Sequence, residues 1–235
     1  MPTRRVRWRQ AWRIIASRYP PIALFERLTQ DPAVWEALIA LEQLTNPRVR
    51  DELGEIALVP AEERVSGPGA SYVMAAFTHR NPKGSRFSDG SYGVYYAAHE
   101  LETAIAETVF HFEAFARDCG DAPRSEDMRV LVGRIDAELE DAGKLPEPER
   151  GRILDPASYQ ASRPWAAALR EAGSGGVVYP SVRRAGGECV GIFRPRLVTP
   201  PTQERHLQYR WDGARVDRYF DYLEDRWIAI GSPTA

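Results

Sequence analysis

The sequence predicts an α+β fold, in which mixed or antiparallel sheets are flanked by helices and preceded by a helical extension. Three observations carry this reading. Strand-like segments are interrupted by helical ones without the regular alternation of a doubly wound parallel sheet. Glycines cluster at Gly67, Gly69, Gly84, Gly90 and Gly93, where short strands need turns. Late in the chain Leu207, Tyr209 and Trp211 alternate with polar residues up to Asp212-Gly213, a hairpin signature.

The elements follow in order. Residues 1–55 are expected to form the helical extension and residues 56–235 the main domain. The opening stretch carries Arg4, Arg5, Arg7, Arg9, Arg13 and Arg18 with no acidic residue among them. Trp8, Trp12 and Ile15 recur at helical spacing, which predicts a short amphipathic helix whose basic face is solvated or docks a partner or nucleic acid. Asp31-Pro32 starts a helix as an N-cap followed by proline, and Val34, Trp35, Leu38, Leu41 and Leu44 form its apolar stripe until Asn46-Pro47. A second short helix is expected from Pro47 to Leu53, closed by Gly54. From Glu55 the texture changes: Ile56 to Val59, Tyr72 to Phe77 and Tyr92 to Ala97 read as strands. A helix from about Glu100 to Ala116 follows, with Leu101, Ala104, Ile105 and Phe112 on one face. Val130 to Ile135 reads as a strand and residues 141–157 as a Pro- and Gly-rich loop. Ser162 opens a helix that stops at Gly173, and strands at 177–183 and 188–193 are joined by Ala185-Gly186-Gly187.

Bulk properties narrow the function. A chain of 235 residues buries a core without staples, since roughly 70% of unfolded surface disappears at this size. The formal net charge of −2 argues against a chain that traps nucleic acid by charge alone. Cys119 and Cys189 match no zinc spacing and point to a reducing compartment. No apolar run approaches the roughly 20 residues that span a bilayer, and the N-terminus lacks a secretory pattern, so a cytoplasmic protein is expected. Walker A, dinucleotide-binding, HExxH and GxSxG motifs are all missing, and His79, His99, His111 and His206 share no helix face as a zinc pair. No metal is expected.

One constellation carries chemistry. Gly84-Ser85-Arg86-Phe87 is followed by Gly93-Val94-Tyr95-Tyr96-Ala97, then by Leu101 to Glu107, and much later by Val178-Tyr179-Pro180-Ser181-Val182-Arg183. An Arg after a turn, a Tyr in a strand, a Glu on the next helix and a Ser beyond a later strand, in this order over roughly residues 60–200, resemble the RES-domain toxin family, which is named for an Arg, a Glu and a Ser. The resemblance implies a fold related to ADP-ribosyltransferases, NAD as substrate, and a cognate Xre-type antitoxin that occludes the pocket. It further implies a bacteriostatic, growth-arresting toxin of a type II toxin–antitoxin pair, touching nucleic acid only through that antitoxin. Carried over by position, Glu107 is the catalytic carboxylate, Tyr96 the strand Tyr, Ser181 the Ser, and Arg86 the Arg of the turn. The earlier family Arg falls on Arg64, with Arg80 as its competitor.

These residue types suit that chemistry. Breaking a nicotinamide–ribose bond builds positive charge on the sugar, as in glycoside hydrolysis. A fixed carboxylate stabilises that charge more than the ground state, and so accelerates the step. Arginine forks suit a diphosphate, which assigns Arg64 and Arg86 as anchors. Tyr96 offers a flat face to the nicotinamide or ribose, and the Ser181 hydroxyl a contact to ribose or amide. The ADP-ribose acceptor is open between a protein side chain, water and phosphate; the helical extension favours a protein. A nuclease and a non-catalytic NAD-binding module are the competing readings.

Overall fold

The computed structural model describes residues 1–18, 31, 34, 35, 37–39, 54–79 and 81–231. Eight strands form one mixed sheet: β1 (Thr3–Ala16), β2 (Tyr95–Ala98), β3 (Arg124–Asp141), β4 (Gly176–Pro180), β5 (Glu188–Ile192), β6 (Thr202–Trp211), β7 (Val216–Asp221) and β8 (Arg226–Ala229). Helices flank it, among the described residues α1 (Ala70–Thr78), α2 (Leu101–Cys119), α3 (Glu149–Ile153) and α4 (Ser162–Glu171). The strand order is β1-β2-β5-β4-β3-β6-β7-β8, and β1 also pairs with β3. The first five strands therefore close on themselves as a ring, and β6, β7 and β8 continue outward from it. All pairings are antiparallel except β3 with β4. The fold is α+β, with a mixed sheet and flanking helices.

The sheet separates two cores, and period-two alternation sends neighbours to opposite ones. Val178 of β4 and Val190 and Ile192 of β5 pack against α1 and Trp35. Their neighbours Val177, Tyr179 and Cys189 pack against α2. Helix α2 ends where Gly120 adopts φ +65°, its N–H closing on the Ala116 and Arg117 carbonyls. The Asp212-Gly213 turn joins β6 to β7 as expected, with Gly213 at φ +102°. Among the described residues no helix is long and apolar enough to cross a membrane.

Four segments depart from the sequence reading. Residues 3–16 are strand β1, where the Trp spacing predicts a helix. Helical and strand periods overlap over so short a stretch, and pairing along β3 from Thr3↔Glu140 to Ala16↔Met128 decides between them. This strand is woven into the sheet of the main domain, so the expected extension begins as part of that sheet. Residues 72–77 belong to α1 rather than to a strand: Ala70, Val73, Met74 and Phe77 are buried at helical spacing. Residues 56–58 form a 3₁₀ turn. The 141–157 loop contains a 3₁₀ turn (Ala142–Lys144) and α3. Of the helix expected after Asp31-Pro32, residues 35 and 37–39 are helical with Trp35 fully buried. Its remainder, the second short helix before Gly54, and Arg80 lie outside the described residues.

Much of the basic N-terminal stretch is paired with acids. Arg5 Nε lies 2.5 Å from Asp136 Oδ1, with Arg7 on the same carboxylate at 3.8 Å. Arg4 meets Glu188 and Asp141, and Arg18 meets Glu126. Cross-strand acids on β3 and β5 thus break up the stripe that reads as a nucleic-acid surface.

Candidate functional site

A cavity of about 540 Å³ opens between α2, β1, β2 and the segment 81–86, a size usual for small-molecule sites. Tyr96, Ala98, Tyr179 and Cys189 are among its wall residues, and α2 presents Ala104, Glu107, Thr108, His111, Phe115 and Asp118. That α2 should offer one continuous face follows from its repeat, since residues three and four apart stack along a helix.

Glu107 is half-buried on this wall. Ser181 Oγ donates to its Oε1 at 2.6 Å. The orientation of that hydroxyl is enforced locally: the backbone N–H groups of Arg183 and Arg184 both donate to Ser181 Oγ at 3.1 Å. With its acceptor capacity used by the turn, the hydroxyl's one proton goes to the carboxylate. Cys189 Sγ stands 3.8 Å from the same oxygen, and burial, reinforced by Glu107, pushes the thiol pKa up. Glu107 and Ser181 thus meet at one point, but Ser181 is not a wall residue. It stands behind the carboxylate and fixes it, where the sequence reading expects it to touch ribose or amide.

Tyr96 is bound up with the turn that carries Arg86. Its hydroxyl pairs with Ser85 Oγ at 2.8 Å and accepts from the Phe87 N–H at 3.0 Å. Burial raises its pKa, so the phenol stays protonated at neutral pH. Arg163 of α4 adds two clamps, Nε to Ser85 O at 3.0 Å and Nη2 to Lys83 O at 2.7 Å. Gly84 makes the turn possible: its φ is +68°, and a Cβ would come within 2.5 Å of Ser88 O. Arg86 is buried; its Nη1 donates to the Asp155 and Ile153 carbonyls, and its guanidinium lies over the Tyr159 ring at 4.7 Å. It lines the cavity without a carboxylate partner.

Arg64 is elsewhere. Its Nε donates to Val59 O at 2.8 Å and its Nη2 reaches Ile56 O at 3.5 Å, so the fork ties together two 3₁₀ turns. It is not among the cavity residues, so the structure does not bring it together with Arg86, Tyr96 and Glu107, where the sequence reading expects an NAD anchor.

The cation that sequence reading misses is Arg13. It lines the cavity from β1, donates to Tyr96 O at 3.0 Å and lies over the Tyr95 ring at 4.6 Å. Its buried Nε has no partner, and burial lowers its pKa against the opposing pull of Tyr95 and Tyr96. A β-bulge between Trp8 and Ala11 explains why this arginine turns inward. Before it, Arg5, Arg7 and Arg9 point to solvent; after it, residues of the same parity, Ala11 and Arg13, are buried or half-buried. One added residue inverts the faces of a strand. Read as a helix, the segment gives no such signal; strand alternation with a break at Gln10 would have exposed it.

The arrangement can therefore hold an anion between Arg13 and Arg86 while a fixed carboxylate waits along the same cavity. Among the described residues no group of three or more His, Cys, Asp or Glu could hold a metal ion.

Comparison with known proteins bears on this geometry. The RES domain family matches residues 61–212, well over half of the chain, and the chain belongs to that family. The protein y4oC of Sinorhizobium fredii (strain NBRC 101917 / NGR234) is 29% identical over 217 residues, covering 90% of this chain and 86% of its own. A chain of the Mycobacterium tuberculosis MbcT–MbcA toxin–antitoxin complex is similar at 11% identity and a TM-score of 0.44, over 90% of this chain and 88% of that one.

Proposed function

We propose, with membership of the RES-domain family as the premise, that this protein is an NAD-cleaving toxin held silent by a cognate antitoxin. The observation that carries the reading is a carboxylate oriented by a hydroxyl, Ser181 to Glu107 at 2.6 Å, in a cavity that also receives Arg13 and Arg86. In this reading the diphosphate of NAD lies against the two guanidiniums, whose fork geometry and charge suit it. The nicotinamide–ribose bond breaks with its electron pair leaving on the nicotinamide nitrogen. Positive charge builds on the ribose carbon beside Glu107, which is worth most in a site partly shielded from water. The ring face of Tyr96 borders the nicotinamide or ribose.

For the acceptor we propose a protein side chain, making the enzyme a mono-ADP-ribosyltransferase. Residues 3–16 no longer support this as a helical recognition surface. What supports it is that His111, on the Glu107 wall, is exposed, leaving the reacting end open to a large partner. Hydrolysis and phosphorolysis are the alternatives. Pure protein mixed with NAD, with and without cell extract, separates them. Nicotinamide release only with extract, together with a labelled protein band, is the expected result. Release in plain buffer favours water as acceptor, release that needs phosphate favours phosphorolysis, and none under any condition overturns the reading.

The antitoxin, of Xre type by the family reading, would act by inserting a segment into the cavity mouth. Among the described residues Arg13 and Arg86 have no carboxylate partner, so an acidic or carboxylate-bearing segment is the complementary plug. The nucleic-acid-directed reading loses much of its support, because four of the six arginines that motivated it, Arg4, Arg5, Arg7 and Arg18, meet acidic side chains.

A further inference from the structure

His111 sits one helical turn beyond Glu107 on α2 and lines the same cavity. Side chains four apart on a helix stand about 5–6 Å from one another at Cβ, a gap that admits one nucleophilic oxygen. The imidazole is packed edge-on to the Phe110 ring, centroids 5.4 Å apart, and its nitrogens form no hydrogen bond with the described residues. It is thus a held ring with free nitrogen, beside the carboxylate, at the end of the cavity that opens to solvent.

The proposed reaction needs such a group. As the ribose carbon becomes cationic, Glu107 serves as an anion, with Oε1 already accepting from Ser181. Were Glu107 to take the acceptor's proton, its charge would vanish while the sugar still needs it. A separate base avoids that conflict. The groups facing His111 favour a neutral ring able to accept a proton. Packing of the ring against Phe110 and the cavity wall lowers its pKa from the ordinary histidine value although the residue keeps an edge in solvent; Glu107 opposes this from the same helix, and Arg183 and Arg86 push it further down. Arg183 reaches this corner from beyond β4, its guanidinium over the Phe110 ring at 3.3 Å.

We infer that His111 is the general base that takes the proton from the ADP-ribose acceptor. The acceptor O–H attacks the ribose carbon, a new C–O bond forms as the C–N bond to nicotinamide breaks, the bond pair departs on nicotinamide, and the proton moves to an imidazole nitrogen. This assignment rests on the NAD-cleaving reading.

The test compares the unsubstituted protein with His111→Gln and His111→Ala in single-turnover nicotinamide release with extract as acceptor source, alongside NAD affinity. Release is expected to fall about 100-fold, the usual contribution of a positioned base, with NAD affinity kept within about twofold. Azide, an anion that needs no deprotonation, is expected to restore release in both variants and to yield the azido sugar. The unsubstituted rate is expected to fall as pH drops through the His111 titration, below the ordinary histidine range, and that limb is expected to vanish in His111→Gln. Release unchanged by both substitutions, or a loss that azide does not repair, overturns the role of His111 alone. No nicotinamide from the unsubstituted protein overturns the function from which it follows.

Discussion

The Glu107 wall of the cavity and the β1 wall are built in different ways. The first comes largely from one run of chain, in which the Gly84 turn, β2 and α2 follow one another and Tyr96 bonds back to Ser85 and Phe87. Its frame is local, and later segments brace it: Arg163 holds the turn, and Ser181 and Cys189 reach Glu107. The second is a single strand whose register is set along β3, more than a hundred residues later, with Arg13↔Leu131 near its C-terminal end. It lies outside the matched domain segment of residues 61–212, yet it brings the cavity an arginine with an unpartnered buried Nε. A site can thus carry its reactive group on a short-range motif and a binding group on a long-range pairing, and the two should fail differently when altered.

Glu107→Gln should break the contrast most sharply. It keeps shape and the Ser181 contact but removes the anion, and nicotinamide release should drop about 10³-fold while NAD affinity, read by calorimetry, stays near that of the parent. Arg13→Gln should do the reverse. Losing a charge-assisted contact to the diphosphate should weaken NAD binding about 30-fold, with a smaller change in the rate of bound substrate; equal affinity in the two proteins would remove β1 from the site. Ser181→Ala should lower release about tenfold, because the carboxylate remains but loses its orienting hydroxyl, and Ser181→Thr should restore much of it. Arg64→Gln should leave both NAD affinity and release unaltered while lowering stability by about 1–3 kcal/mol, the usual cost of unpaired buried polar groups. A loss of NAD affinity there would return Arg64 to the binding set.

The sequence was readable where local chemistry decides. Helix α2 and the Asp212-Gly213 hairpin follow from spacing and turn residues, and the Glu107–Ser181 meeting was expected from motif order. The place of Arg64 was not legible, because where an arginine sits depends on what its fork finds on folding. Here that is the Ile56 and Val59 carbonyls, a contact no composition reveals. Residues 3–16 misled for a related reason: Trp8, Trp12 and Ile15 satisfy a helical period, and the bulge between Trp8 and Ala11 disguises the strand period. Tyr72 to Phe77 reads as a strand in the sequence, whereas the burial of Ala70, Val73, Met74 and Phe77 marks a helix face.

The ring made by β1, β2, β5, β4 and β3 has a consequence for synthesis. A growing polypeptide emerging from the ribosome exposes β1 before its partners: β2 offers it only the Trp12↔Ala98 pairing, its long pairing waits until residues 128–140 have appeared, and the circle stays open until β5, ending at Ile192, is translated. Non-local pairing of this kind is slow to form. A nascent chain therefore lacks the Arg13 side of its pocket through most of its production. On the proposed reading, this delay leaves an interval for a neutralising protein to bind before the first NAD molecule can be gripped.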